Sequence, residues 1–131
     1  MIDVVVAVVR DAQGKILLSR RQAHQDFAHN WEFPGGKQEA NESLLSALQR
    51  ELAEELGLSA VQAQPWMCLP WQYAHKSVRL HVFLVEQWQG EPQSMEGQPL
   101  AWFTLAEVAK LSMPEANGHL VAALVMAENW R

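Results

Sequence analysis

Apolar and polar residues alternate in several distinct rhythms along the chain. Residues 2–10 (IDVVVAVVR) are almost continuously apolar and rich in valine, and residues 15–20 (KILLSR) follow Asp11-Ala12-Gln13-Gly14. Two β-prone runs around a short glycine-containing turn predict a hairpin. Residues 21–30 (RQAHQDFAHN) are polar and without period, which predicts a loop. Trp31-Glu32-Phe33 is a short strand stopped by a Pro34-Gly35-Gly36 turn. Leu44, Leu45, Leu48, Leu52 and Leu56 then fall on one helical face, with Asn41 as the expected N-cap and Gly57 as the expected residue past the helix end. Residues 61–73 and 77–88 read as strands. Gly90 to Gln98 reads as a polar loop, 99–103 as a short strand, 105–111 as a short helix and 119–129 as a terminal helix. Strands, a helix, more strands and a helix predict a mixed α/β fold with helices packed on a sheet.

The chain has 131 residues, the length of one domain spanning 1–131. It is 49% hydrophobic and 19% charged, an ordinary globular composition. A net charge of −5 argues against a coat for polymeric nucleic acid, which needs a basic face. It leaves room for a small phosphorylated ligand whose charge a divalent cation offsets. Cys68 stands alone among apolar residues and is expected to be a buried thiol, in keeping with a reducing, cytoplasmic location. No signal peptide, membrane span or membrane partner is expected, and the chain is expected to be a monomer. The five histidines show no metal spacing, and the six tryptophans are expected in the core or the pocket wall.

The helix carries the chemistry. Residues 50–58 read R-E-L-A-E-E-L-G-L, with three glutamates in five positions. At roughly 100° per residue, Glu51, Glu54 and Glu55 form one patch that abuts the apolar stripe instead of lying opposite it. Like charges so close cost stability. One reading is a solvated helix face served by Arg50. The other is a set of hard oxygen ligands for Mg²⁺, which takes carboxylates, keeps waters and bridges to phosphates. The preceding Gly35-Gly36 has no side chains to stop a ligand from approaching the backbone, so a carbonyl there could ligate the metal and Lys37 could face a phosphate; a plain tight turn is the alternative.

The stretch from Gly36 through Glu42, Arg50, Glu51, Leu52, Glu54, Glu55 and Gly57 to Leu58 resembles the signature of the Nudix hydrolases at every defined position. The resemblance implies an α/β/α sandwich, a mixed sheet with helices on both sides. It also implies Mg²⁺-dependent hydrolysis of a nucleoside diphosphate linked to another group, with Mn²⁺ as the alternative ion. Glu51, Glu54 and Glu55 would be metal ligands, one of them doubling as the base. Arg50 would orient them, and Glu42 would support the loop or the metal shell. Outside that box, Asn30–Lys37, Leu84–Pro92, Glu96–Pro99 and Pro114–Asn117 look like the MutT branch of the family, which hydrolyses 8-oxo-dGTP to the monophosphate and pyrophosphate. That similarity implies that Glu96 reaches the metal from a loop, that the Gly35 carbonyl is a ligand and that Asn117 recognises the base. A pyrophosphohydrolase for another nucleotide, such as CTP, and a Nudix-like module that binds without cleaving are the alternatives.

Chemistry supports the part given to Asn117. Guanine offers two acceptors, O6 and N7. Oxidation at C8 places a hydrogen on N7, so one amide can pair with both atoms of the oxidised base. Asn117 followed by Gly118 could equally form a turn or a helix cap. Trp31 and Phe33 are expected near the substrate, and Asp26 and Phe27 are candidate pocket residues. Arg21 is a candidate phosphate contact, with an ordinary surface arginine as the alternative.

Overall fold

The computed structural model describes residues 1–129; Trp130 lies outside the described residues. Seven strands and three helices follow in the order β1 (Ile2–Val9), β2 (Ile16–Arg20), β3 (Trp31–Glu32), β4 (Gly35–Lys37), α1 (Leu44–Leu56), β5 (Ser59–Gln72), β6 (Ser77–Gln89), β7 (Leu100–Phe103), α2 (Leu105–Val108) and α3 (Glu115–Asn129). A four-stranded mixed sheet has the order β4-β1-β6-β5, and a three-stranded sheet the order β3-β2-β7.

The valine run of β1 is apolar on both faces because both faces are covered. Val5, Ala7 and Val9 pack with Ala47, Leu48, Leu52 and Leu56 of α1. Val6 and Val8 pack with Leu120, Val121 and Leu124 of α3. Strand β6 alternates in the same way, with Val78, Leu80 and Val82 toward α3 and Phe83 and Val85 toward α1. The mixed sheet with helices on both sides is the architecture expected from the resemblance.

The hairpin expected from residues 2–20 does not form. Asp11 closes its turn, accepting the Gln13 and Lys15 amides at 3.0 and 2.8 Å. The two strands then diverge into different sheets, joined only by an Arg10–Ile16 bridge. β6 lies parallel along the whole length of β1 and β4 lies antiparallel on the other edge, so β1 has no edge left for β2. Gly35 and Gly36 likewise belong to strand β4, not to a turn.

Helix α1 begins later than Asn41. Ser43 caps it, its hydroxyl accepting the Ser46 amide, while Asn41 takes a left-handed conformation (φ 64°). Leu45 lies on the outer edge of the stripe and is exposed; Ala47 is buried in its place. The helix ends as expected at Gly57 (φ 69°), with the Leu58 amide donating to the Leu52 carbonyl and the Leu58 side chain buried. Helix α3 begins at Glu115, four residues earlier than the sequence suggested. Pro114 cannot interrupt a helix that it precedes, and Asn117 and Gly118 are carried inside the first turn.

Strand β5 forms an edge of the larger sheet, carries Pro65 and Pro70, and is broken by register shifts. Apart from buried Val61 its side chains are partly covered or exposed, and Cys68 is exposed, contrary to the expected buried thiol. Trp66 and Trp71 pack on the α3 side, and Trp88 stacks with Trp102 at 6.2 Å. No helix among the described residues is long and apolar enough to cross a membrane.

Candidate active site

Two chain segments build the acidic end of the site. Strand β4 pairs with β1 so that Gly35 meets Val6 and Gly36 meets Val5. Helix α1 crosses over this strand. A side chain at either position would meet an occupied space, the backbone at Gly35 and the end of a flexible side chain at Gly36. A Cβ on Gly35 would stand 1.9 Å from the Val5 carbonyl oxygen, and one on Gly36 would stand 2.4 Å from the carboxyl carbon of Glu51. The Glu51 carboxylate therefore rests directly on a bare backbone.

Arg50 ties the glutamates together. It makes a fork to Glu42, Nε to Oε2 at 3.0 Å and Nη2 to Oε1 at 2.6 Å. Nη1 donates to Glu51 at 2.8 Å and to Glu54 at 3.4 Å, and Nη2 also donates to the Lys37 carbonyl at 3.0 Å. A planar guanidinium can serve these directions at once; a lysine cannot. The Arg50 hydrogen bonds pull the Glu42 carboxyl down to about 2. Glu42 thus buttresses Arg50, and Glu54 points outward with a half-exposed side chain.

Glu55 sits deepest. Its carboxylate accepts the Gly35 amide at 3.1 Å. Burial, followed by repulsion from Glu51, pushes its pKa up to about 9. Burial also raises Glu51. Arg50 offsets part of the charge on Glu51 and Glu54, and the repulsion between Glu51 and buried Glu55 is of the kind a further positive charge relieves. The donors of this strip, carboxylate oxygens beside exposed backbone, fit a hard divalent cation in kind. Among the described residues no three acidic, histidine or cysteine side chains are already gathered tightly enough to hold an ion. Arg50 draws Glu51, Glu54 and Glu42 to itself in this arrangement.

Glu96 lies on the exposed loop after β6. Its charge contributes to the raised values of both Glu51 and Glu55, so it faces the same strip. The loop is clamped to the end of α1. The Gln93 and Met95 amides donate to the Leu56 and Glu55 carbonyls at 2.9 and 3.1 Å. Buried Gln98 donates to the Glu55 carbonyl at 2.9 Å and accepts from Ser94 and from the Glu96 amide. Sequence reasoning missed Gln98, because a glutamine in a polar loop gives no sign that it will be buried.

A cleft of about 320 Å³ opens from this strip. Gly35, Gly36, Lys37, Glu51 and Glu55 line it, as do Arg21, Phe33 and Asn117. The cleft therefore joins the glutamates to the asparagine expected to read a base. The Asn117 amide oxygen accepts the Phe33 backbone N–H at 3.4 Å. Arg21, on the cleft wall, is bonded to Glu32 at 2.7 Å and to the Asp26 carbonyl. Asp26 accepts from Arg21 through its carbonyl, while its neighbours Gln25 and Phe27 line the cleft. Trp31 turns away and packs edge-on against Phe103 at 5.0 Å. Glu32, Tyr73 and Lys76 also line the cleft. Glu32 carries no local signal of its own, standing at the end of a short strand between two aromatic residues. Tyr73 and Lys76 come from a hairpin tip whose position only the fold reveals.

Residues 5–123 match the profile of the family described as NUDIX domain. The chain belongs to the NUDIX family. It is 37% identical over 125 residues to an 8-oxo-dGTP diphosphatase of Haemophilus influenzae, covering 95% of this chain and 92% of that one. It is also 37% identical over 125 residues to a CTP pyrophosphohydrolase of Escherichia coli, with the same coverage. The solution structure of the Escherichia coli ORF135 protein superposes with a TM-score of 0.87 at 35% identity, covering 100% of this chain and 93% of that one. The fold and the family expected from the box in α1 are thus both borne out.

Proposed function

We propose that this NUDIX chain, acting as one catalytic domain, hydrolyses 8-oxo-dGTP to the monophosphate and pyrophosphate and so clears oxidised purine nucleotides from the pool. The observation that carries the reading is that one cleft holds Glu51 and Glu55 together with Asn117. A triphosphate can lie along the acidic strip while its base reaches the amide. The relative named 8-oxo-dGTP diphosphatase supports the same reading.

In this proposal the Gly35 carbonyl, Glu51, Glu54, Glu55 and Glu96 hold a divalent cation, Mg²⁺ or alternatively Mn²⁺. The cation supplies polarisation of the phosphate and a lowered pKa for bound water. Arg50, anchored by Glu42, holds Glu51 in place over Gly36. Glu51, on the cleft wall, accepts the proton of the attacking water, with Glu96 the alternative base. Lys37 lines the cleft on the phosphate side. Arg21 braces Glu32 and the 21–30 loop. The Asn117 amide donates to O6 and accepts from N7–H of the oxidised base. Ordinary guanine presents a lone pair in place of that hydrogen, leaving a polar group unmatched, which such sites reject.

The second reading, a CTP pyrophosphohydrolase, rests on the equally identical relative of that name. Measuring kcat/KM with Mg²⁺ for 8-oxo-dGTP, dGTP and CTP side by side, with product identification, separates the two. Strong preference for 8-oxo-dGTP with release of pyrophosphate is expected. Better turnover of CTP would keep the chemistry of the strip and overturn the base assignment.

A further inference from the structure

The Asn117 amide is weakly tethered on its own account. Its bond from the Phe33 N–H is 3.4 Å, beyond the usual range for a backbone donor. Its position depends instead on where the first turn of α3 is held. The first amides of a helix have no partner within the helix and must find one elsewhere. At α3 a distant side chain supplies it: the backbone N–H of Ala116, a buried residue, donates to the hydroxyl oxygen of Tyr73 at 2.9 Å.

Tyr73 is well placed for this. It stands at the end of the β5–β6 hairpin, where its own N–H donates to the Lys76 carbonyl at 2.8 Å. Its ring meets Phe27 of the 21–30 loop at 5.4 Å. Phe27 is held at φ 56°, a left-handed conformation that a phenylalanine adopts only when its surroundings impose it. Three segments that line the cleft therefore converge on one side chain, and its hydroxyl binds the residue next to Asn117.

We propose that Tyr73 is a positioning residue for base selection: through the Ala116 N–H it holds the turn carrying Asn117 in register with the cleft. The proposal rests on the reading of Asn117 as the base-recognising residue. It concerns the hydroxyl, not the ring, so Tyr73→Phe removes the bond and leaves the aromatic contact with Phe27.

The test is steady-state kinetics on wild type, Tyr73→Phe, Asn117→Ala and the double variant, with 8-oxo-dGTP and dGTP, alongside thermal melts. Asn117→Ala is expected to abolish most of the preference for the oxidised base. Tyr73→Phe is expected to raise KM for 8-oxo-dGTP about fivefold, the effect of one lost hydrogen bond, with kcat and the dGTP parameters within about twofold. In the Asn117→Ala background, Tyr73→Phe is expected to change nothing further in selectivity, because the two act as one unit. The proposal is overturned if Tyr73→Phe keeps full selectivity, if it slows both nucleotides equally, or if its effect adds to that of Asn117→Ala. Loss of selectivity in Asn117→Ala alone would overturn the role of Tyr73 and spare the base reading. Full selectivity in Asn117→Ala would overturn both.

Discussion

Gly36→Ala separates the site from the fold. The new Cβ would lie 2.4 to 2.6 Å from the three carboxyl atoms of Glu51. Ordinary contact begins at 3.4 Å, so the carboxylate must withdraw by about 0.9 Å, a displacement that costs on the order of 100-fold in rate when it misplaces a reacting group. The backbone has no reason to object, because Gly36 is not among the glycines held at positive φ. The atoms to be moved are also the end of a flexible side chain. Alanine restricts the unfolded chain as well, so stability should change by no more than about 1 kcal/mol. The assay is kcat/KM for 8-oxo-dGTP at saturating Mg²⁺, together with a thermal melt. Gly35→Ala is the contrasting control. There the clash is with the Val5 backbone carbonyl at 1.9 Å, so β4 must leave β1 and the melting temperature should fall sharply. Activity of Gly36→Ala within about threefold of wild type would refute the claim that Glu51 must rest on that bare backbone. So would an activity loss that merely tracked unfolding.

Three further outcomes are expected. Glu51→Gln should fold normally and lose about 100-fold or more in kcat; near-normal turnover would remove Glu51 from the mechanism. In chelator-treated protein, Glu55 keeps its proton in the folded state up to about pH 9 but loses it near 4.5 when unfolded. The folded state then binds more protons across that window, so stability should fall as pH rises from about 4.5 to 9, by at most about 1.4 kcal/mol per pH unit for this group. Glu55→Gln should flatten the slope, and a melting temperature indifferent to pH over that range would contradict the burial argument. Arg50→Lys keeps the charge but loses the fork to Glu42 and the simultaneous contact with Glu51. Its kcat should fall by about tenfold or more with the fold intact, and wild-type kinetics would show that charge alone suffices.

Much of this protein could be read from local pattern. The acidic strip of α1 was legible because a helix converts spacing directly into a face, which put Glu51 and Glu55 beside the leucine stripe, with Glu54 farther out and half-exposed. Gly57 ended the helix as expected, because only the local backbone is involved. The valine run of β1 announced a strand, while its covering on both faces emerged only from the packing of α1 and α3. Partners distant in sequence were the harder matter. Residues 2–20 formed the right turn and the wrong sheet, because β6 and β4 compete for the edges of β1. Gly35 and Gly36 looked like a turn until β1 made them a strand. Trp31 was expected near the substrate, yet it packs on Phe103, while Arg21, a candidate phosphate contact, lines the cleft in an ion pair with Glu32. No role for Tyr73 or Gln98 could be read locally, although Gln98 lay in a stretch that carried the resemblance: each is important because of a backbone group brought to it across 43 residues. Sequence by itself determined the helix, its acidic face and the family, because those depend on periodicity along one segment. Tertiary structure decided which side chains line the cleft, because a cleft is closed by groups whose separation in space bears no relation to their separation along the chain.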